Sequence, residues 1–125
     1  MISWPRSTRV RVHRDPVDMR KHFDALSALV KSAFAADLLE GDVFVFVGRT
    51  RKRAKALYWD GTGLCVFAKR LEKGRFAAPW QCKGDEPLEW TRSELSLFIE
   101  GCDLIGRMRL SPMPYSDGDR SLSFR

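Results

Sequence analysis

A chain of 125 residues, 44% apolar and 30% charged, can bury one modest core and is expected to fold as a single soluble domain. Three cysteines, Cys65, Cys82 and Cys102, without CxxC spacing argue against a disulfide framework and against a zinc site. A formal net charge of +6 and a pI near 9.6 favour a polyanionic partner such as DNA, RNA or an anionic membrane surface.

No apolar run approaches the roughly 20 residues that span a bilayer. Met1–Arg6 lacks the apolar centre of a signal peptide, so a reducing cytoplasm is the expected location. Arg6–Val12 alternates basic and apolar residues around Val10 and Val12. It reads as a short edge strand with Arg9 and Arg11 on the other side. Asp15-Pro16 reads as a helix start, since Asp can cap free N–H groups and proline is tolerated at the first helical position. Met19, Phe23, Leu26, Val30 and Ala33 recur at helical spacing, which predicts one amphipathic helix over Pro16–Ala35.

Val43, Val45 and Val47 alternate with Phe44 and Phe46. Both sets are apolar, so this strand is expected to be central or covered on both faces. Ala56–Trp59 and Leu64–Ala68 pair most simply as a hairpin across Asp60-Gly61-Thr62-Gly63. Ala77–Pro87 reads as a loop whose Trp80 plugs the core edge. Thr91-Arg92-Ser93-Glu94 matches a capping box, with Trp90 and Leu95 at the staple positions, and starts a helix over Ser93–Glu100 closed by Gly101. The expected fold class is α+β. A small antiparallel sheet, a β-meander of three to four strands, lies under one long amphipathic helix, with a short C-terminal helix added. Residues 1–106 form the domain, and 107–125, with prolines, glycine and serines and no period, are expected to be a flexible tail.

Familiar catalytic signatures are missing. The sequence has no GxxxxGK[ST] or GxGxxG phosphate loop and no recognisable nucleophile elbow. His13 and His22 have no second ligand at metal spacing, so neither a metal nor a cofactor is expected. A two-metal nuclease would need acids such as Asp42, Asp60 and Glu72 to converge, yet each has a simpler local role.

The charge is concentrated. Arg49, Arg51, Lys52, Arg53 and Lys55 place five cations in seven residues, and Lys69, Arg70, Lys73 and Arg75 add four. If strands 43–47 and 56–59 are antiparallel neighbours, the first cluster lies at the tip of their connector and the second falls near the same end. Such side chains can donate to phosphate oxygens and release counterions. These nine residues are the candidate nucleic-acid contacts; Tyr58, Trp59 and Phe67 could stack on bases or serve the core.

DMRK at Asp18–Lys21, FDAL at Phe23–Leu26, VFVF at Val43–Phe46, LYWDGTG at Leu57–Gly63 and KRLEKGRF at Lys69–Phe76 occur in that order. Together they resemble the TnpB (Orf-two-like) accessory proteins of the insertion sequence sixty-six class of bacterial transposable elements. The likeness covers about Val12–Pro79, with a weaker echo through Gly101. It implies a non-catalytic protein that assists DNA transposition beside a separate transposase. It supplies no catalytic residue. The first expectation is an accessory factor that binds element DNA through the basic segments. The alternative is a protein–protein adaptor for the transposase without direct DNA contact, and an enzyme acting on nucleic acid is a third reading.

Overall fold

Val43–Val47 forms the strand on which the protein is built, and all five of its residues are buried. Such a strand needs a covering layer on each face. The computed structural model describes residues 8–82, 84 and 87–101. The strands are β1 (Val10–Val12), β2 (Val43–Val47), β3 (Arg53–Trp59), β4 (Leu64–Arg70) and β5 (Leu88–Trp90), in the sheet order β4-β3-β2-β1-β5. The helices are α1 (Phe23–Phe34) and α2 (Arg92–Ile99). Val43, Val45 and Val47 pack on one side with Phe76 and with Leu95, Phe98 and Ile99 of α2. Phe44, Phe46 and Leu57 pack on the other side with Val17 and with Leu26 and Val30 of α1. Burying each Phe or Leu contributes about 1.5–3 kcal/mol, so these two layers dominate the stability.

The expected antiparallel meander of three to four strands under one long helix is incorrect. β2, β3 and β4 follow one another antiparallel, but the sheet continues past β2. β1 lies parallel to β2, with Val10 beside Val43 and Val12 beside Val45. β5 then pairs antiparallel with β1, Val10 opposite Trp90, so β1 is interior and not an edge. The alternation around Val10 and Val12 shows β1 as a strand but not its partners, and β5, three residues between a proline and the α2 cap, escapes a reading based on period.

The single long helix is also a misreading. α1 has 12 residues and begins at Phe23. The chain ahead of it stays extended along β2: the N–H of His13 donates to the carbonyl of Val45 and that of Val17 to the carbonyl of Val47, both at 2.9 Å. These bonds to the sheet displace the helix start read at Asp15-Pro16. Asp18 instead closes a turn by accepting from the Arg20 N–H at 2.9 Å. Of the proposed stripe, Leu26 and Val30 are buried and Met19 packs from the turn, while Phe23 and Ala33 are exposed.

Two local readings hold in detail. In α2, Thr91 Oγ1 accepts from the Glu94 N–H at 3.0 Å, and Glu94 Oε1 accepts from the Thr91 N–H at 2.7 Å. At the β3–β4 turn, Asp60 Oδ1 accepts from the N–H groups of Thr62 and Gly63, both at 2.9 Å, while Gly61 takes φ +106°. Trp80 lies half-buried against the core on the α2 side. The proposed tail 107–125, the boundary at 106, Cys102 and the first two residues of Arg6–Val12 lie outside the described residues.

Two outcomes follow. Thr91→Ala should lower unfolding stability by about 1 kcal/mol in urea titrations, because it leaves a helix N–H without its acceptor. The Thr62 and Gly63 N–H groups, helped by the Cys65 thiol, hold the Asp60 carboxyl down to about 2 from an ordinary 3.8. A depressed folded-state value means that the carboxylate stabilises fully above the ordinary value and stops doing so as pH falls through the folded one. The gap in Tm between wild type and Asp60→Ala should therefore stay constant above about pH 5 and narrow between about pH 4 and pH 2.

Candidate nucleic-acid interface

β2 ends at Val47 where β3 begins, with Val47 opposite Ala54, and β4 ends at Arg70 opposite Arg53. Three strand ends therefore share one rim of the sheet. Residues 48–52 and 71–76 are joined there by backbone bonds. The Leu71 N–H donates to the Lys52 carbonyl at 2.8 Å, and the Phe76 N–H to the Arg51 carbonyl at 2.7 Å. Side chains add to the join: Arg51 Nε donates to the Phe76 carbonyl at 2.7 Å and Lys52 Nζ to the Gly74 carbonyl at 3.0 Å. Two basic runs far apart in sequence thus become neighbours.

Both strands run further than their apolar cores suggest. Arg53 and Lys55 belong to β3, and Lys69 and Arg70 to β4. Alternation then sorts them by face. Arg53, Lys55 and Arg70 lie on the α1 side, as does Leu57, whereas Lys69 lies with Ala54 on the α2 side. Lys55 does not line the cleft at this rim; its Nζ donates to the Lys21 carbonyl at 2.7 Å. Lys73 and Arg75 are exposed on the segment joined to the loop.

An open cleft of about 650 Å³ lies on the α1 side of this rim. Arg20, Arg49, Lys52, Arg53 and Arg70 line it, against the single carboxylate of Asp18. A helical reading of Pro16–Ala35 hides Arg20, because it places that residue on the outer surface of a helix. The signal was Asp18-x-Arg20 just after Pro16, a turn pattern. The bidentate contact of Arg20 with Asp18, aided by the Arg20 N–H, holds the Asp18 carboxyl well below the usual carboxylate range. Gly48 lets the floor close up, since a Cβ there would meet Met19 Cγ at 2.7 Å. Outside the cleft, Glu72 pairs with Arg70 at 3.1 Å.

Arg53 and Arg70 are direct cross-strand partners on one face, and both are exposed. Like charges in that position are destabilising by a few tenths of a kcal/mol up to about 1 kcal/mol. Glu72, which pairs with Arg70 at 3.1 Å, already offsets part of this cost. The proposed base-stacking residues are elsewhere. Tyr58 is buried in the core on the α2 side, and Trp59 stands at the far end of β3 beside the Asp60 turn. Asp42 and Asp60 are at that far end, whereas Glu72 is at the basic rim, so the three acids do not converge. Among the described residues no group of three or more His, Cys, Asp or Glu could hold a metal ion. No described helix is long and apolar enough to cross a membrane.

The arrangement defines a small mixed-sheet protein with a basic rim, and comparison with known proteins places it. The family model described as IS66 Orf2 like protein matches residues 8–109, so the chain belongs to that insertion-sequence family, as its ordered motifs suggest. Uncharacterized protein y4jC of Sinorhizobium fredii (strain NBRC 101917 / NGR234) is 40% identical over 103 residues, covering 82% of this chain and 86% of its own length. Uncharacterized protein y4hO of the same strain is 32% identical over 103 residues, covering 82% and 88%. No solved structure matches the chain.

The join between the two runs can be tested at Arg51, a non-glycine residue at φ +65°. Arg51→Gly and Arg51→Ala lose the same side-chain bond, but only glycine adopts positive φ without a Cβ clash. The glycine variant should be the more stable of the two by about 1 kcal/mol in denaturant titrations.

Proposed function

We propose that the protein is a non-catalytic accessory factor of transposition that holds element DNA by its phosphates at the basic rim. The observation that carries this reading is the cleft in which Arg53 faces Arg70 while Arg20, Arg49 and Lys52 stand around them. Lys73 and Arg75 extend the positive surface beyond it. Arg51 belongs to the frame that holds the two runs together. Lys55 and Lys69 stand apart from the cleft and contribute less.

Contacts of this kind read the DNA backbone and not the bases. No aromatic side chain lines the cleft, so stacking on splayed single strands has no platform there. Guanidinium groups match phosphate oxygens in geometry and charge, and they position a duplex without reading its sequence. The carboxylate of Asp60 at the opposite end of β3 and β4 disfavours phosphate there, which orients the protein on its partner.

Fluorescence anisotropy with a labelled duplex across a salt series tests this. Each phosphate neutralised adds about 0.9 to the magnitude of the slope of log K against log salt. The triple variant Arg49→Ala, Arg53→Ala, Arg70→Ala should weaken binding and flatten the slope by about 2 to 3, whereas Lys55→Ala with Lys69→Ala should change it by less than about 1. Wild-type protein that shows no affinity for duplex DNA at low salt overturns the proposal and leaves the transposase adaptor as the better reading.

A further inference from the structure

The two edges of the sheet differ. β5 has three residues, too few to template another strand, whereas β4 has seven and no proline. The part of β4 from Leu64 to Ala68 carries no charge, and Leu64, Cys65, Val66 and Phe67 are all only half-buried. Natural edge strands of this length are usually protected by charge, proline or a bulge, and among the described residues nothing pairs with the outer side of β4.

The hydrogen bonds of the hairpin fix which groups are free. The Asp60 N–H donates to the Gly63 carbonyl and the Leu71 N–H to the Lys52 carbonyl, so the odd-numbered residues from 63 to 71 turn their backbone groups toward β3. The N–H and C=O groups of Leu64, Val66, Ala68 and Arg70 therefore point outward.

We propose that β4 pairs antiparallel with β4 of a second copy of this chain, about a two-fold axis at Phe67, and so joins the two sheets. In that register every outward group meets an outward group: Val66 faces Ala68, and Leu64 faces Arg70. The two Phe67 side chains meet on the axis in a non-hydrogen-bonded pair, where side chains approach closest. Cys65 faces Lys69, both on the α2 side. The Cys65 thiol donates to Asp60 Oδ2 at 3.4 Å, so the carboxylate lies beside Cys65, within reach of the long side chain of Lys69 of the partner subunit across β4. Symmetry makes this ion pair twice.

Charge selects the second copy over an unrelated strand. The edge has a carboxylate at one end and cations at the other, and antiparallel self-pairing brings them together in register. The same operation sends the two basic rims to opposite ends of the joined sheet, which separates the like charge of two chains that each carry +6. Two rims would then face two separate lengths of polyanion, but the pairing itself does not depend on DNA binding.

The test is sedimentation velocity of the full chain over a micromolar concentration series, together with oxidative cross-linking. The wild type should show a dimer. Ala68→Pro removes an outward N–H that β3 does not use. It should raise the dimer dissociation constant by about tenfold or more with its far-UV circular dichroism retained. In a background of Cys65→Ser, Cys82→Ser and Cys102→Ser, Phe67→Cys should cross-link on mild oxidation, whereas Thr50→Cys on the basic loop should not. Should Ala68→Pro fail to fold, the cross-linking pair decides. A full chain that stays monomeric and does not cross-link through Phe67→Cys overturns the proposal, as does a dimer that cross-links equally through Thr50→Cys.

Discussion

Everything in this fold answers to the need to keep both faces of Val43–Val47 dry. Three valines look one way and two phenylalanines the other, and the strand cannot leave either set in water. A sheet with α2 and the segment around Phe76 on one face and α1 on the other meets that need. Once both faces are covered, charged side chains can gather only on the rims and on the outer surface of the covering layers.

The rim at the end of β2 is basic because of how the chain returns to it. β2 delivers Gly48–Lys52 there, and β4 delivers Leu71–Phe76 to the same place, where backbone bonds fix the two segments side by side. The extended residues 13–17 run along β2 to the same end, which brings Asp18 and Arg20 to the cleft. Arg53 lies opposite Arg70 at that rim, where Glu72 offsets part of the repulsion and the proposed phosphate contact would offset more. Asp60, at the other end of the hairpin, gives the molecule a charge direction.

Much of this was legible in the residues. Alternating Val and Phe with no polar face says that β2 is central, and it is. Thr91 and Glu94 announce α2 by their spacing alone. The Asp60-Gly61-Thr62-Gly63 turn carries its own chemistry, so β3 and β4 are found as neighbours. Local interactions decide such features, and the sequence contains both partners within a few positions.

What was not legible depended on distant partners. Asp15-Pro16 is a sound helix start in isolation, yet the carbonyls of Val45 and Val47 claim the neighbouring N–H groups and keep the chain extended. β1 shows its alternation but not that β2 and β5 flank it, and β5 is too short to show a period. The two basic runs are visible along the chain, but their cations cannot be sorted by face from it. Placing strand ends at Ala56 and Ala68 hid the alternation that sends Lys69 away from Arg70 and lets Lys55 turn toward Lys21.

The central claim is that the basic rim, and not another surface, meets DNA. Titrating isotopically labelled protein with a short duplex and following its backbone amide resonances tests that claim most directly. The amides of residues 18–20, 48–53 and 70–75 should shift together, while those of the Asp60 turn and α2 should hold still. Shifts concentrated at the Asp60 end or on α2, with the basic rim unmoved, would contradict it.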